Sequence, residues 1–155
     1  YLVYEFIKNP PTTDDQFLIC NETINSLFEH KHYDLLLYWL RNGLSLIDNV
    51  IKQILESGHL SLYEFLNVKN VLKFTTSTMN SAIKSGNLKT VKWLRTNGCP
   101  WDEGATAYAA EGGHLDILKW LRKNGCPWDE GATGYAAEGG HLDILKWLMT
   151  NGCPW

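Results

Sequence analysis

The stretch CPWDEGATAYAAEGGHLDILKWLRKNG at residues 99–125 is followed at once by CPWDEGATGYAAEGGHLDILKWLMTNG at residues 126–152. The two copies differ at three of 27 positions, which are Ala107/Gly134, Arg122/Met149 and Lys123/Thr150. A copied unit of this length is typical of stacked-repeat proteins, in which each unit buries its apolar face on its neighbours. We therefore expect the fold to be built from copies of this unit.

More diverged copies precede the two clear ones. Residues 24–40 align without a gap on residues 79–95, and residues 50–66 give another copy between them. Aromatic residues recur at equivalent places with spacings of 27, 28, 27 and 27 positions, at Tyr38, Phe65, Trp93, Trp120 and Trp147. The repeat therefore extends from residue 24 to residue 155. We predict that the tryptophans of this aromatic ladder lie in the core.

Each unit predicts two short helices. Pro100 excludes a helix through the connector, whereas Asp102 or Glu103 suits a helix start, where free amide groups and the helix dipole favour carboxylates. An alanine-rich first helix ends at Gly112-Gly113, because glycine accepts the left-handed conformation of a helix cap. A second helix begins at Leu115. Its apolar face is broad enough to be buried by neighbouring helices on both sides. The unit is thus helix–turn–helix followed by a connector.

The period of the repeat also sets the domain boundaries. We predict one array over residues 1–155, with five helix pairs at residues 24–44, 50–71, 78–98, 105–125 and 132–152. Residues 1–9 are predicted to be the helix of a half repeat, residues 10–23 a proline-led connector, and residues 153–155 the start of a further repeat.

The composition excludes several classes of protein. The 155 residues are 45% hydrophobic and 20% charged, which is typical of a globular chain. A formal net charge of -3 gives no electrostatic reason to bind nucleic acid or anionic lipid. No apolar run approaches the ~20 residues that span a bilayer. We therefore expect neither a nucleic-acid partner nor a membrane partner.

Three of the four cysteines, Cys99, Cys126 and Cys153, recur with the repeat, and Cys20 stands apart. Equivalent atoms in stacked helical units lie ~8–10 Å apart, beyond the ~7 Å Cα separation that a disulfide bridges. No Cys-x-x-Cys pair indicates a zinc site. We therefore predict free thiols, no metal and no cofactor, in a reducing compartment such as the cytoplasm.

The segment AAEGGHLDILK at residues 109–119, with Gly125-Cys126 after it, resembles the core of the ankyrin repeat. Two features depart from that family. The Thr-Pro-Leu-His opening of the first helix is replaced by Gly-Ala-Thr-Ala at residues 104–107, and the unit is six residues shorter than the family's 33. The shortfall falls where the family carries its β-hairpin finger. The resemblance therefore implies an all-α, ankyrin-like helix-turn-helix solenoid with the β-hairpin fingers shortened or absent.

The resemblance also implies a function. It indicates a non-catalytic protein–protein interaction module, which we expect to act as an adaptor for host or viral targets. The short repeat with Cys-Pro-Trp connectors resembles the variant of giant DNA viruses and some protists, which implies the host-cell cytoplasm, or the virion, as its location. A structural or virion-associated scaffold is the first alternative, and an enzyme the second. Because residues 153–155 are the first three residues of another copy, either the array continues beyond them or its exposed end is a surface for end-to-end self-association.

The turn residues Gly113, His114, Gly140 and His141 invite a catalytic interpretation, but a structural one is favoured. His114 and His141 are copies of one position, which Asn87 fills in the preceding repeat. A catalytic base or metal ligand would not tolerate this replacement, whereas a hydrogen-bonding turn residue would. In the family that the chain resembles, this histidine bonds the backbone between repeats.

Six carboxylates give the one directional indication of a binding surface: Asp102, Glu103, Glu111, Asp129, Glu130 and Glu138. In the ankyrin family the connectors and first helices form the concave recognition surface, so the resemblance implies an acidic groove for a basic or amphipathic segment of a protein partner. The alternative is an ordinary solvated face with carboxylates chosen for helix starts.

The connector tryptophans Trp101, Trp128 and Trp155 allow two interpretations. They are either partner-binding aromatics or packing residues that fill the gap between stacked units, with Phe74 as a diverged first member. A buried aromatic side chain contributes roughly 1.5–3 kcal/mol, enough to replace the contacts of a missing finger, so we favour packing.

Overall fold

A computed structural model describes residues 27–41 and 48–155, and the chain divides into two compact units, residues 1–54 and 55–155. The half-repeat helix predicted at residues 1–9, the connector predicted at residues 10–23 and Cys20 lie outside the described residues. The same holds for both ends of the helix pair predicted at residues 24–44. The described residues form helices, turns and connectors, and no strand occurs among them.

The helices are short and similar in length. In the first unit, helical residues 27–29 precede helix α1, Tyr33–Arg41, whose buried residues include Leu36, Leu37 and Leu40. Helix α2, Asp48–Ser57, contains the boundary between the two units. The second unit continues with α3 (Leu60–Val68), α4 (Thr76–Lys84), α5 (Leu88–Thr96), α6 (Glu103–Glu111), α7 (Leu115–Lys123), α8 (Glu130–Glu138) and α9 (Leu142–Thr150). The predicted all-α fold is confirmed.

The first helices of successive pairs pack on one another through small side chains. Helix α6 contacts α4 on one side and α8 on the other. Its buried residues Ala105, Thr106, Ala109 and Ala110 have little volume, so the backbones of neighbouring helices approach closely. The buried Thr106 hydroxyl donates to the carbonyl oxygens of Glu103 at 2.8 Å and Pro127 at 3.3 Å. This threonine therefore ties the first helix to the connector that follows its own pair.

The second helices supply the large apolar side chains. Ile117, Leu118 and Leu121 of α7 are fully buried, and α7 packs on α6 of its own pair and on α5 of the preceding one. Each such side chain contributes ~1.5–3 kcal/mol when it leaves water. The core of the second unit therefore lies between the two rows of helices.

The tryptophans of the aromatic ladder are not in that core, and the sequence-based prediction is wrong on this point. Trp93, Trp120 and Trp147 are only half-buried. The residue after each tryptophan is the buried one, as with Leu94 and Leu121. Their half-buried indole rings lie at the edge between the packed helices and solvent.

Each of these tryptophans instead contacts an aromatic residue of the preceding connector. Phe74 lies 6.3 Å from Trp93 between ring centroids, and Trp101 meets Trp120 edge-on at 5.8 Å. A third pair, Trp128 with Trp147, is separated by 6.0 Å. Such pairs contribute about 0.5–1.5 kcal/mol beyond the burial of their area. The predicted packing role is confirmed for the connector residues Phe74, Trp101 and Trp128.

An arginine completes two of these contacts from the preceding helix pair. The Arg95 guanidinium lies 3.9 Å from the centroid of the Trp101 ring, and Arg122 lies 3.8 Å from that of Trp128. Arg122 also donates from Nη1 to the Cys126 carbonyl oxygen at 2.8 Å. The order arginine, connector tryptophan, helix tryptophan therefore joins the α4–α5 pair to the α6–α7 pair, and the α6–α7 pair to the α8–α9 pair.

Trp155 does not follow this pattern. Its side chain is 90% exposed, and Met149 occupies the position that Arg95 and Arg122 hold in earlier repeats. A thioether carries no charge to place over an indole ring, so the cation–π contact is lost. Trp101 and Trp128 each contact a tryptophan 19 residues further along the chain, and for Trp155 that position lies beyond residue 155, so its packing role stays a prediction.

The turn inside each pair carries a bond between repeats. Gly113 has a φ of 76°, in the left-handed region that glycine accepts, and an added Cβ would lie 2.7 Å from the His141 ring. His141 Nε2 lies 2.9 Å from the Glu111 carbonyl oxygen, and His114 Nε2 lies 3.2 Å from that of Lys84. Carbonyl groups at a helix end lack partners within the helix. Each histidine therefore satisfies a carbonyl of the preceding first helix.

Asn87 does not make this bond. Its side chain caps its own helix by accepting from the backbone amides of Lys89 and Thr90. Instead the buried Thr90 hydroxyl donates to the Gly58 carbonyl oxygen at 2.5 Å. The repeat with asparagine therefore keeps a bond to the preceding repeat, but a different residue supplies it.

The contact between Arg122 and Trp128 gives a first prediction. The substitutions that test it are the ones that the last repeat carries at the equivalent positions, Met149 and Thr150. Arg122→Met removes the cation over Trp128 and the hydrogen bond to Cys126, so it should lower the free energy of unfolding by about 1–2 kcal/mol. The matched control Lys123→Thr alters an exposed neighbour and should change stability by less than about 0.5 kcal/mol. Urea denaturation measures both. Equal effects of the two substitutions would contradict the role given to Arg122.

Candidate interaction surface

The exposed sides of the first helices form a surface that we call the first-helix face. Positions i, i+1, i+4, i+5 and i+8 of a helix lie along one side of it. These positions carry Thr76, Ser77, Asn80, Ser81 and Lys84 on α4; Glu103, Gly104, Ala107, Tyr108 and Glu111 on α6; and Glu130, Gly131, Gly134, Tyr135 and Glu138 on α8. Ala107 alone among them is buried, and the others are half-buried or exposed. The face therefore changes its chemistry from repeat to repeat.

Two tyrosines occupy the middle of this face. The rings of Tyr108 and Tyr135 lie 6.5 Å apart between centroids, and Tyr135 is 40% exposed. The Lys84 ammonium lies 4.0 Å from the centroid of the Tyr108 ring, in a cation–π contact. The sequence pattern did not single out these residues, although the tyrosine recurs at the same place in both clear copies. The sequence alone does not indicate that this tyrosine side chain is exposed.

Four of the six predicted carboxylates lie at helix starts. Asp102 and Asp129 are the residues that precede α6 and α8, and the Asp129 carboxylate accepts a hydrogen bond from the Gly131 amide at 3.0 Å. Glu103 and Glu130 are the first residues of the same helices. Negative charge at these places is stabilised by the helix dipole and free amides. A structural role therefore accounts for Asp129, Glu103 and Glu130, whereas the Asp102 side chain makes no capping hydrogen bond.

The other two, Glu111 and Glu138, are the last residues of α6 and α8. A carboxylate there opposes the helix dipole and costs about 0.3–1 kcal/mol, whereas Lys84 at the equivalent end of α4 has the favourable sign. Both glutamates are exposed. Within residues 27–41 and 48–155, no cation forms an ion pair with either of them. Helix stability therefore does not explain their charge.

The structure spaces the two sets of carboxylates along the helices. Glu103 and Glu111 are eight residues apart on α6, which corresponds to about 12 Å along the helix axis. Four of the six carboxylates thus lie at the helix starts and two at the helix ends. We call the last residues of the three successive first helices, Lys84, Glu111 and Glu138, the end row.

Positive charge is concentrated on the second helices. Lys119, Lys123 and Lys146 are exposed there, on α7 and α9. The negative and positive groups of the last two repeats are therefore divided between the two helix rows. Asp116 and Asp143, in the first turns of α7 and α9, are the exceptions.

A polar pocket of about 280 Å³ opens on the α4 part of the face. Thr76, Ser77, Asn80, Ser81, Lys84 and Tyr108 line it. Ser81 stands where the later repeats carry a tyrosine, so the space that a ring would fill is left open. We call this cavity the Ser81 pocket.

The cysteines are free thiols in protected positions. Cys99, Cys126 and Cys153 are buried and unbridged, which confirms the prediction for these three. Each donates to the carbonyl of the residue that precedes the first helix of the helix pair before it, as Cys126 does to Asp102 at 3.4 Å. Burial raises the pKa of Cys99 to about 11, of Cys126 to about 12 and of Cys153 to about 11. These thiols are therefore protonated at neutral pH.

The part of the chain that the structure describes offers no further site of a familiar kind. No group of three or more His, Cys, Asp and Glu side chains there is placed to hold a metal ion. No helix there is both long and apolar enough to cross a bilayer.

Comparison with known proteins identifies the repeat. Residues 78–154 match the model of a family described as ankyrin repeats, in three copies. Among curated proteins, no sequence matches the chain. The matched segment includes α5 to α9 and most of α4.

The raised thiol pKa values give a second prediction. Alkylation by iodoacetamide at pH 8 should leave Cys99, Cys126 and Cys153 unmodified in the folded chain and modify them in 6 M guanidinium, because the thiolate is the reactive form. Mass spectrometry of the three cysteine peptides measures both. Full labelling of the folded chain at pH 8 would contradict it.

The same pKa values fix the direction of the pH effect on stability. The folded values of about 11 to 12 lie above the ordinary 9.0, so the buried thiols favour the folded state most below pH 9. This contribution should be lost as the pH rises from 9 through 12.

Proposed function

Because residues 78–154 belong to the ankyrin-repeat family, we propose that this chain holds a basic or amphipathic segment of a protein partner on its first-helix face. Ankyrin repeats are a general protein–protein interaction module. The observation that carries the proposal is the pair of exposed carboxylates, Glu111 and Glu138, at helix ends where they oppose the helix dipole. Charge that does not stabilise its own helix is available to a partner.

The chemistry of the face suits lysine and arginine side chains. Glu103, Glu111, Glu130 and Glu138 attract a basic segment and set its register, which raises the association rate and the specificity. Tyr108 and Tyr135 add aromatic area that contacts the aliphatic stems of such side chains. The Lys84 ammonium over Tyr108 shows that a ring on this face accepts a cation.

We propose no catalytic role for the described residues. His114 and His141 each contact a backbone carbonyl between repeats through Nε2. The cysteine thiols are buried and protonated at neutral pH. The side chains that most resemble nucleophiles and bases are thus engaged in holding the repeats together.

An adaptor role is a further part of the proposal. An adaptor for a host or viral target needs a second surface, distinct from the one that holds the target. Exposed Lys119, Lys123 and Lys146 on the second helices form a surface of opposite charge for this purpose. The array would then hold one partner on each helix row.

The third prediction tests the first-helix face by charge reversal. The pair Glu111→Lys and Glu138→Lys should weaken binding of a lysine-rich peptide by about tenfold or more and flatten its salt dependence, since two attractive charges become repulsive. The folded chain should not lose stability, because lysine at a helix end complements the dipole. Isothermal titration at several salt concentrations measures affinity, and thermal unfolding measures stability.

The matched control reverses two carboxylates on the other helix row. Asp116→Lys and Asp143→Lys change the net charge by the same amount at exposed positions of α7 and α9. This control should retain most of the affinity. Equal losses in both double variants would indicate non-specific attraction to net charge and would overturn the proposed face.

A further inference from the structure

The charge of the end row is positive in the repeat that contains α4 and negative in the two repeats that contain α6 and α8. Lys84 ends α4, whereas Glu111 and Glu138 end α6 and α8. The first residue of each of these helices also changes, from the neutral Thr76 on α4 to the negative Glu103 on α6 and Glu130 on α8. The α4 part of the first-helix face therefore has the opposite charge to the rest.

The Ser81 pocket lies in this part of the face. Four of its lining residues carry hydroxyl groups, Thr76, Ser77, Ser81 and Tyr108, and Asn80 adds an amide and Lys84 an ammonium group. No carboxylate lines it. Lys84 is the one charged residue of the lining, so the charge of the pocket favours an anion. The Thr76 and Ser77 hydroxyls can donate to such an anion, whereas the Ser81 hydroxyl already donates to the Ser77 carbonyl oxygen at 3.1 Å.

Two features of α4 strengthen this match. Thr76 and Ser77 are its first two residues, so the positive end of the helix dipole lies at one side of the pocket. Lys84 is exposed, and its ammonium group lies over the uncharged Tyr108 ring. Its charge is therefore not neutralised by a carboxylate of this part of the chain.

We propose that the Ser81 pocket binds a carboxylate side chain of the same partner segment whose basic side chains bind Glu111 and Glu138, an inference that rests on the proposed function. The aspartate or glutamate of the partner accepts from the Lys84 ammonium and from the hydroxyls of Thr76 and Ser77. The end row then sets the direction and register of the partner.

The spacing of the repeats fixes the pattern of the partner. Packed helices lie ~8–10 Å apart, and an extended chain advances ~3.3–3.6 Å per residue, so about three partner residues correspond to one repeat. Since the end row reads positive, negative, negative, the complementary segment reads acid-x-x-base-x-x-base. Either chain direction is compatible with the row, but an acid between two bases is not.

The experiment compares three fluorescent peptides with neutral residues at x. The first is Asp-x-x-Lys-x-x-Lys, and the second is its permutation Lys-x-x-Asp-x-x-Lys. The third, Asn-x-x-Lys-x-x-Lys, replaces the aspartate by the uncharged asparagine. The first should bind the chain at least fivefold more tightly than either of the others. Fluorescence anisotropy at fixed ionic strength gives the three dissociation constants.

Two variants test whether the preference for the peptide that begins with aspartate arises from the Ser81 pocket. Lys84→Glu should abolish the preference for the peptide that begins with aspartate. Ser81→Tyr fills the pocket with the side chain that later repeats carry, keeps Lys84, and should reduce the preference as well. Lys92→Glu is the matched control, since Lys92 is an exposed lysine on the second helix of the same repeat and should leave the preference intact. Circular dichroism confirms that each variant folds.

The outcomes separate the two proposals. If no peptide binds, the proposed function fails and this inference fails with it. If the three peptides bind equally, and Glu111→Lys with Glu138→Lys still removes binding, the pocket inference is wrong and the basic-segment proposal stands. If phosphoserine in place of the aspartate binds more than tenfold more tightly, the commitment to a carboxylate is overturned.

Discussion

Contact between successive helix pairs is the interaction on which the rest of the second unit depends. Its helices have nine or ten residues each, and isolated helices shorter than about 12–15 residues are marginal in water. The alanine-lined side of each first helix and the apolar side of each second helix become buried only when the neighbouring pair is in place. Stacking is therefore what makes the local helical pattern stable, and the repeat is its consequence.

The residues that first suggest chemistry serve this stacking. A connector tryptophan bridges the arginine of one pair and the tryptophan of the next, while His141 and Thr90 bond carbonyl groups of the preceding pair. Buried thiols close each repeat onto the residue before its first helix. Because these roles recur with the period, the residues recur as well. The residues that pack one repeat on the next are therefore the same in the two clear copies.

The first-helix face is under a different constraint. Most of its side chains contact solvent, so stacking does not dictate their identity, and they vary from threonine, serine and lysine on α4 to glutamate and tyrosine on α6 and α8. A glutamate at a helix end is slightly unfavourable for that helix, yet it occurs in both clear copies. The face can therefore acquire binding chemistry without loss of the packing that supports it.

The sequence by itself determined the period, the helix–turn–helix unit, the turn glycines, the unbridged state of three cysteines and the resemblance to ankyrin repeats. These features follow from short-range patterns or from direct comparison of copies. Only the tertiary structure decided that Trp93, Trp120 and Trp147 lie at the edge of the array, that Lys84 rests on Tyr108, and that Ser81 leaves a pocket. Each of these depends on the distance between residues in different repeats or on the space left between two helix rows. That distance is set by how closely alanine-lined helices approach, which no local pattern along the chain specifies.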